Sequence, residues 1–152
     1  MNTARTPKRS VARSAARLAA VQALYQREME GTALTKLLDE FHQHRLGKGV
    51  EDEKLADAEV EFFDDIVSGV DARIEEIDTM VGERLSEGWS LKRLDKTLVQ
   101  ILRAGTFELL ARSDVPVGAV ISEYVDVAHA FFDEREAKFV NGVLDAVAKA
   151  VR

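Results

Sequence analysis

Apolar residues in this chain recur at three- and four-residue steps almost from end to end, and nowhere show the two-residue alternation of a half-buried strand. That property restricts the fold to packed helices, because a helix-period pattern cannot bury one face when laid out as a strand. From Ser10 to Met29, the residues Leu18, Val21, Leu24, Tyr25 and Met29 mark one such face in a segment rich in good helix formers, and Gly31 ends it. Thr32 is placed to cap a second helix with Leu34, Leu37, Leu38 and Phe41, which runs out by Gly47. A long third helix is predicted from Leu55 to Met80 through Phe62, Phe63, Ile66, Val67, Val70, Ile74 and Ile77. Ser90, just after Trp89, is placed to cap the next, which carries Leu94, Leu98, Ile101, Leu102, Leu109 and Leu110 and ends near Arg112.

The turn Ser113-Asp114-Val115-Pro116 follows, because Pro116 cannot continue a helix and pushes Val115 toward extended geometry. A further helix then runs from Val117 to Phe132. Asp133, with Glu136 three residues on, has the form of a capping box that opens a last helix buried through Phe139, Val140, Val143, Leu144 and Val147. The expectation is an all-α bundle of six to seven helices forming a single domain over residues 1–152, with residues 1–9 as a flexible basic arm. A length of 152 residues can bury about two thirds of the unfolded surface, and a hydrophobic content of 46% with 2 Pro excludes a collagen-like or disordered chain.

The absence of Cys excludes a disulfide scaffold, a thiolate metal site and a Cys nucleophile. No apolar run approaches the roughly 18 residues of a spanning helix, and the basic start lacks the apolar stretch of a signal peptide. A cytoplasmic protein with no membrane contact is expected. Enzymatic constellations are missing as well: there is no Gly-rich phosphate loop, no Gly-x-Ser-x-Gly elbow and no His-Glu-x-x-His. His42 and His44 point about 200° apart on a helix and cannot easily share a metal. They read as surface residues, Asp64 and Asp65 as solvated charge, and His129 as an imidazole near the carbonyls of a helix end. Trp89 and the Phe62-Phe63 pair read as core packing. The reading is of a protein that is not an enzyme, with no catalytic residue, no metal and no cofactor.

Charge is where function shows. The net charge is −6, yet Arg5, Lys8, Arg9, Arg13, Arg17 and Arg27 all precede Glu28, the first acidic residue. Of 21 Lys and Arg, 15 remain beyond Arg27 against 27 Asp and Glu, so a head of +6 precedes a body of −12. Such a head is a local field attractive to polyanions even on an acidic protein. Arg5, Arg9, Arg13 and Arg17 are four apart and fall about 40° from one another on a helix, a slowly winding guanidinium ridge. No acidic residue on that segment can pair with it, and the guanidinium fork suits phosphate. Lys8, Arg9, Arg13 and Arg17 are therefore candidate RNA-backbone contacts. With no helix-turn-helix signature, one short ridge suits a single strand better than a duplex. Selective reading of single-stranded RNA also needs aromatic groups on which bases can lie. Tyr25, on the same helix, and Phe139, directly after Lys138, are the candidates, with core packing the competing account of each.

These residues fall into blocks that resemble one family. Ala16-Arg17 leading into Ala20-Val21-Gln22-Ala23-Leu24-Tyr25 resembles the Arg-rich first helix of the bacterial transcription antitermination factors of the NusB family. The stretch from Leu94-Asp95-Lys96 to Glu108-Leu109-Leu110, the turn Ser113-Asp114-Val115-Pro116, and Lys138-Phe139-Val140-Asn141-Gly142-Val143-Leu144-Asp145 resemble its later helices, in family order. Ser14 and Ala15 depart from it, standing where the family often carries further arginines. The resemblance implies two helical sub-bundles and a factor that binds single-stranded boxA RNA together with NusE, a small-subunit ribosomal protein. That complex acts within the RNA polymerase antitermination complex and promotes processive transcription of ribosomal RNA operons. Carried over, Arg13 and Arg17 would hold phosphates, Tyr25 would lie at the RNA face, and Lys138 and Phe139 would supply charge and stacking. The family includes homodimers, so monomer or homodimer is open, as are the residues that meet the protein partner. Two alternatives stand beside this. One is a helical protein-protein adaptor without direct RNA binding. The other is a detached N-terminal domain of a ribosomal RNA cytosine methyltransferase, disfavoured because no nucleotide-binding βα unit follows the last helix.

Overall fold

The computed structural model describes the backbone of residues 5–47 and 53–152 and, within those spans, the side chains from residue 11 onward except residues 53–55 and 58. Among the described residues there are seven α-helices and no strand: α1 (Arg5–Glu30), α2 (Leu34–His44), α3 (Glu53–Ala72), α4 (Ile74–Gly82), α5 (Lys96–Ala111), α6 (Val117–Phe131) and α7 (Glu134–Val151). A 3-10 turn lies at Leu91–Arg93. The chain divides into two compact units, Met1–Ser68 and Gly69–Arg152, with the boundary inside α3.

In the first unit α1 packs on α2. Its buried face is built largely of small residues, Ala12, Ala16, Ala19, Ala20 and Ala23 with Val21 and Leu24, which lets neighbouring atoms approach the helix backbone closely. Gly31 ends the helix at φ 69°, a left-handed conformation that costs glycine nothing, and its N–H donates to the Arg27 carbonyl at 2.9 Å. Arg27 then reaches forward, donating from Nη1 to the Thr32 carbonyl at 2.7 Å. Thr32 is not the cap expected of it, because α2 begins one residue later, behind Ala33, with no side-chain cap bond. Helices α2 and α3 meet through Phe41 and Phe63, stacked at 5.3 Å with a 20° interplanar angle. Beside them Asp64 lies 2.6 Å from His42 Nε2, so this carboxylate is an interhelical partner rather than solvated charge.

The long third helix of the sequence reading is two helices. Arg73, at φ −117° and ψ 23°, separates α3 from α4, one turn after the Ser68-Gly69 pair, a combination at which helices bend without proline. Arg73 Nε donates to Glu76 Oε1 at 2.8 Å and holds that carboxyl below its usual range. In this second unit α5 packs against α4, α6 and α7. Every residue of α5 from Leu98 to Leu109 is buried, including Gln100, Arg103, Thr106 and Glu108. Its polar groups therefore need partners. Tyr124 of α6 donates its hydroxyl to Glu108 Oε2. The carboxylate of Asp78 on α4 takes both Nε and Nη2 of Arg103, each at 2.8 Å.

The caps of this unit also differ from expectation. Ser90 opens only the 3-10 turn, and α5 is capped instead by Asp95, whose Oδ1 accepts from the amides of Thr97 at 2.8 Å and Leu98 at 3.3 Å. Asp133 stands at the cap position of α7, but no side-chain cap bond forms, so the capping box with Glu136 is not made. Trp89, read as core, is 54% exposed in the loop before α5, where Arg93 lies over its ring at 5.7 Å and donates to the Gly88 carbonyl.

Arg152 closes the unit. Its guanidinium donates to four carbonyls around the end of α5, those of Glu108 at 3.1 Å, Leu109 at 3.0 Å, Arg112 at 2.7 Å and Val115 at 2.6 Å. A cation at the carbonyl end of a helix gives further donors to the acceptors clustered there, two of which, the carbonyls of Glu108 and Arg112, also accept a backbone N–H, and opposes the negative end of the helix dipole. Replacing Arg152 with Ala is expected to lower unfolding free energy by about 2 kcal/mol, measured by urea denaturation. Lys, with one point charge and no planar fork, should recover less than half of that. Equal stability of Arg152→Ala and the unmodified chain would remove this clamp from the account.

Candidate nucleic-acid interface

The site begins with the spacing of arginines on α1. One turn separates Arg13 from Arg17, so both guanidiniums leave the same side of the helix, and that side meets Phe62 of α3. The Cζ atom of Arg13 lies 4.7 Å from the centroid of the Phe62 ring and that of Arg17 lies 4.8 Å from it. One aromatic ring thus serves two cations. Phe62 is itself buried and is fixed by its place next to Phe63.

This differs from the open ridge read from α1 alone. Arg13 is partly exposed, but Arg17 is only 3% exposed, so its guanidinium lies against the protein while Arg13 keeps a surface toward solvent. One contributor is a residue 45 positions away: Phe62 offers a flat apolar face, and a guanidinium is weakly enough hydrated to lie on it. Lys8 and Arg9, the other two basic candidates, lie outside the residues whose side chains are described.

Tyr25 lies two turns beyond Arg17 on α1 and is 40% exposed, which sets aside core packing as its whole role. It points about 80° round the helix from Arg17 and shares its side with exposed Met29. In the second unit Lys138 is exposed and Phe139 half-buried on α7, so Phe139 has ring surface both for packing and for contact. Phe62 is the residue that sequence reasoning assigned to the core and did not connect with the arginines. The available signal was a deficit: two arginines at four-residue spacing with no acidic residue on their segment need some other surface to lie on.

Chemically, the arrangement offers planar cations and exposed aromatic surface, and no reactive constellation. Among the described residues no group of three or more His, Cys, Asp or Glu could hold a metal ion. The pair at His42 and Asp64 has no third ligand there, and His129, rather than meeting helix-end carbonyls, lies 3.7 Å from Glu134. No helix of the described residues is long and apolar enough to cross a membrane.

Comparison with known proteins decides the family. Residues 14–149 match the NusB family. The chain belongs to that family. It is a bacterial transcription antitermination factor of the NusB type. The transcription antitermination protein NusB of Novosphingobium aromaticivorans is 70% identical over 141 residues, covering 93% of this chain and 95% of the relative. That of Sphingopyxis alaskensis is 66% identical over 145 residues, 95% of this chain and 97% of the relative. Among solved structures, T. maritima NusB superposes with a TM-score of 0.75 at 33% identity, covering 90% of each chain. A crystal structure of the antitermination factors NusB and NusE in complex with dsRNA gives a TM-score of 0.77 at 30% identity, covering 91% of this chain and 97% of that one.

Proposed function

We propose that this NusB-family chain binds boxA-type RNA jointly with NusE and acts in the RNA polymerase antitermination complex, promoting processive transcription of ribosomal RNA operons in the cytoplasm. The observation that carries this reading is the pair of guanidiniums gathered on Phe62 at one end of a segment with no acidic residue before Glu28. It is supported by the NusB relatives and by the solved relative captured with NusE and RNA. Arg13, the more exposed of the two, takes the direct phosphate contact, and Arg17 adds positive potential from beneath. Lys8 and Arg9 extend the basic track. Tyr25 offers stacking surface, and on α7 Lys138 contributes charge and Phe139 a base platform. Residues that meet NusE are not assigned.

The preferred ligand is a single strand, although the RNA in the solved relative is double-stranded, so the test carries both forms. Fluorescence anisotropy with a boxA-type oligoribonucleotide, its scrambled counterpart and a duplex of the same sequence, each with and without NusE, is expected to show tightest binding for single-stranded boxA with NusE. The double variant Arg13→Ala/Arg17→Ala should weaken binding to every RNA and flatten the plot of log affinity against log salt by roughly 0.7 per lost phosphate contact. Unchanged affinity and slope in that variant would defeat the reading and favour a protein-protein adaptor.

A further inference from the structure

Phe62 lies against two cations. We propose that Phe62 is a positioning residue for RNA binding: it fixes the guanidiniums of Arg13 and Arg17 in one arrangement before RNA arrives, so that the cationic site is a joint product of α1 and α3. This rests on the reading of Arg13 as a phosphate contact and of Arg17 as the cation beneath it.

Two arginines one turn apart repel each other, and each samples many rotamers when free. A ring with its π face turned to both counters the two tendencies at once, because its quadrupole attracts the cations and its flatness orders the guanidinium planes. Both Cζ atoms lie within 5 Å of the ring centroid, at 4.7 and 4.8 Å, which is inside the range of that attraction. The platform is rigid. Phe62 is 3% exposed, its neighbour Phe63 stacks on Phe41, and the next residue, Asp64, pairs with His42, so three successive positions of α3 are held in place within the first unit. Ordering a long side chain at an interface is a cost of binding, and a site that has already ordered it binds more tightly. The apolar stripe of α3 therefore has a second output, at Phe62, in the geometry of charges carried by another helix.

The test uses the full chain and a boxA-type oligoribonucleotide titrated over a salt series. Phe62→Leu keeps both charges and most of the volume but has no π face. It is expected to weaken binding about tenfold while leaving the salt slope unchanged, because the same number of cations still meets phosphate. Phe62→Tyr, which keeps the ring, is expected to restore binding to within about twofold. In the unmodified protein the side-chain proton resonances of Arg13 and Arg17 should be shifted upfield by the ring, and this shift should vanish in Phe62→Leu. Wild-type affinity in folded Phe62→Leu, alongside weakened Arg13→Ala/Arg17→Ala, overturns the positioning role and leaves the RNA reading intact. Unchanged affinity in the arginine double variant instead removes the reading on which the role rests. Should Phe62→Leu not fold, Phe62→Met takes its place, and random-coil arginine resonances in the unmodified chain overturn the proposal without any variant.

Discussion

Gly69→Ala is expected to destabilise the second unit by about 2–3 kcal/mol, although alanine is the better helix former. A Cβ built on Gly69 would sit 2.1 Å from Cε1 and 2.2 Å from Cζ of Phe107, distances at which something must move. Phe107 is buried on α5, and its ring has no flexible end to swing aside. The helix-propensity gain of about 1 kcal/mol is smaller than the cost of overpacking, so the sign is set by the clash. Urea unfolding followed by circular dichroism reads the effect directly as a lowered midpoint. The companion substitution Phe107→Leu removes the obstructing ring edge, and the double variant should be less unstable than the two single losses added together. A midpoint that rises in Gly69→Ala would show that Phe107 does not come this close. At Gly105 the nearest atoms to an added Cβ are the ends of Leu144, at 2.8 and 3.0 Å, and a Leu can rotate away, so Gly105→Ala should be the milder change.

Arg103→Met is expected to cost about 3 kcal/mol. The Arg103 side chain is 11% exposed and Asp78 30%, so the two charges interact with limited screening, and the fork is bidentate at 2.8 Å on both arms. Methionine matches the length and apolar stem but leaves Asp78 without that fork. It also removes the donor, 3.3 Å away, that Gln100 Oε1 accepts from. Gln100 Nε2 has no hydrogen-bond partner among the described residues, so the whole amide would be left poorly satisfied inside a buried helix. A double-mutant cycle with Asp78→Asn isolates the pair from the packing of the stem. A loss below about 1 kcal/mol for Arg103→Met would mean that the fork merely decorates the surface of α4.

Those two predictions involve features that periodicity did not reveal, and the reason is the same for both. The faces of α1, α3 and α7 were legible because each buries one stripe, so Val21, Leu24, Phe63, Ile66, Val140 and Leu144 appear in the core where three- and four-residue steps put them. On α5 the stripe of Leu98, Ile101, Leu102 and Leu109 was legible and is buried, but the helix buries its whole circumference from Leu98 to Leu109, and periodicity does not show that the other faces are covered too. Its polar residues, Gln100, Arg103, Thr106 and Glu108, consequently look like a solvent face in sequence. The division between α3 and α4 was missed because no proline marks it, and the signal present, Ser68-Gly69, is weaker.

At the candidate site the residue types were legible and their exposure was not. The spacing of Arg13 and Arg17 places them together on α1, as found, but the burial of Arg17 and its contact with Phe62 are matters of tertiary packing. Trp89 erred the other way. Its size argued for burial, while the Gly88 turn at φ 88° carries it outward with Arg93 as its cover.

The Arg152 clamp has a kinetic meaning. Its four bonds join residues 37 to 44 positions apart, and contacts of that separation form after the chain-closing entropy has been met by nearer ones. An interaction assembled on the native side of the folding barrier leaves the refolding rate nearly untouched and lengthens the lifetime of the folded state. The expected signature of such a latch is that Arg152→Ala speeds unfolding of the second unit while its refolding rate stays nearly unchanged, read from the two arms of a urea chevron.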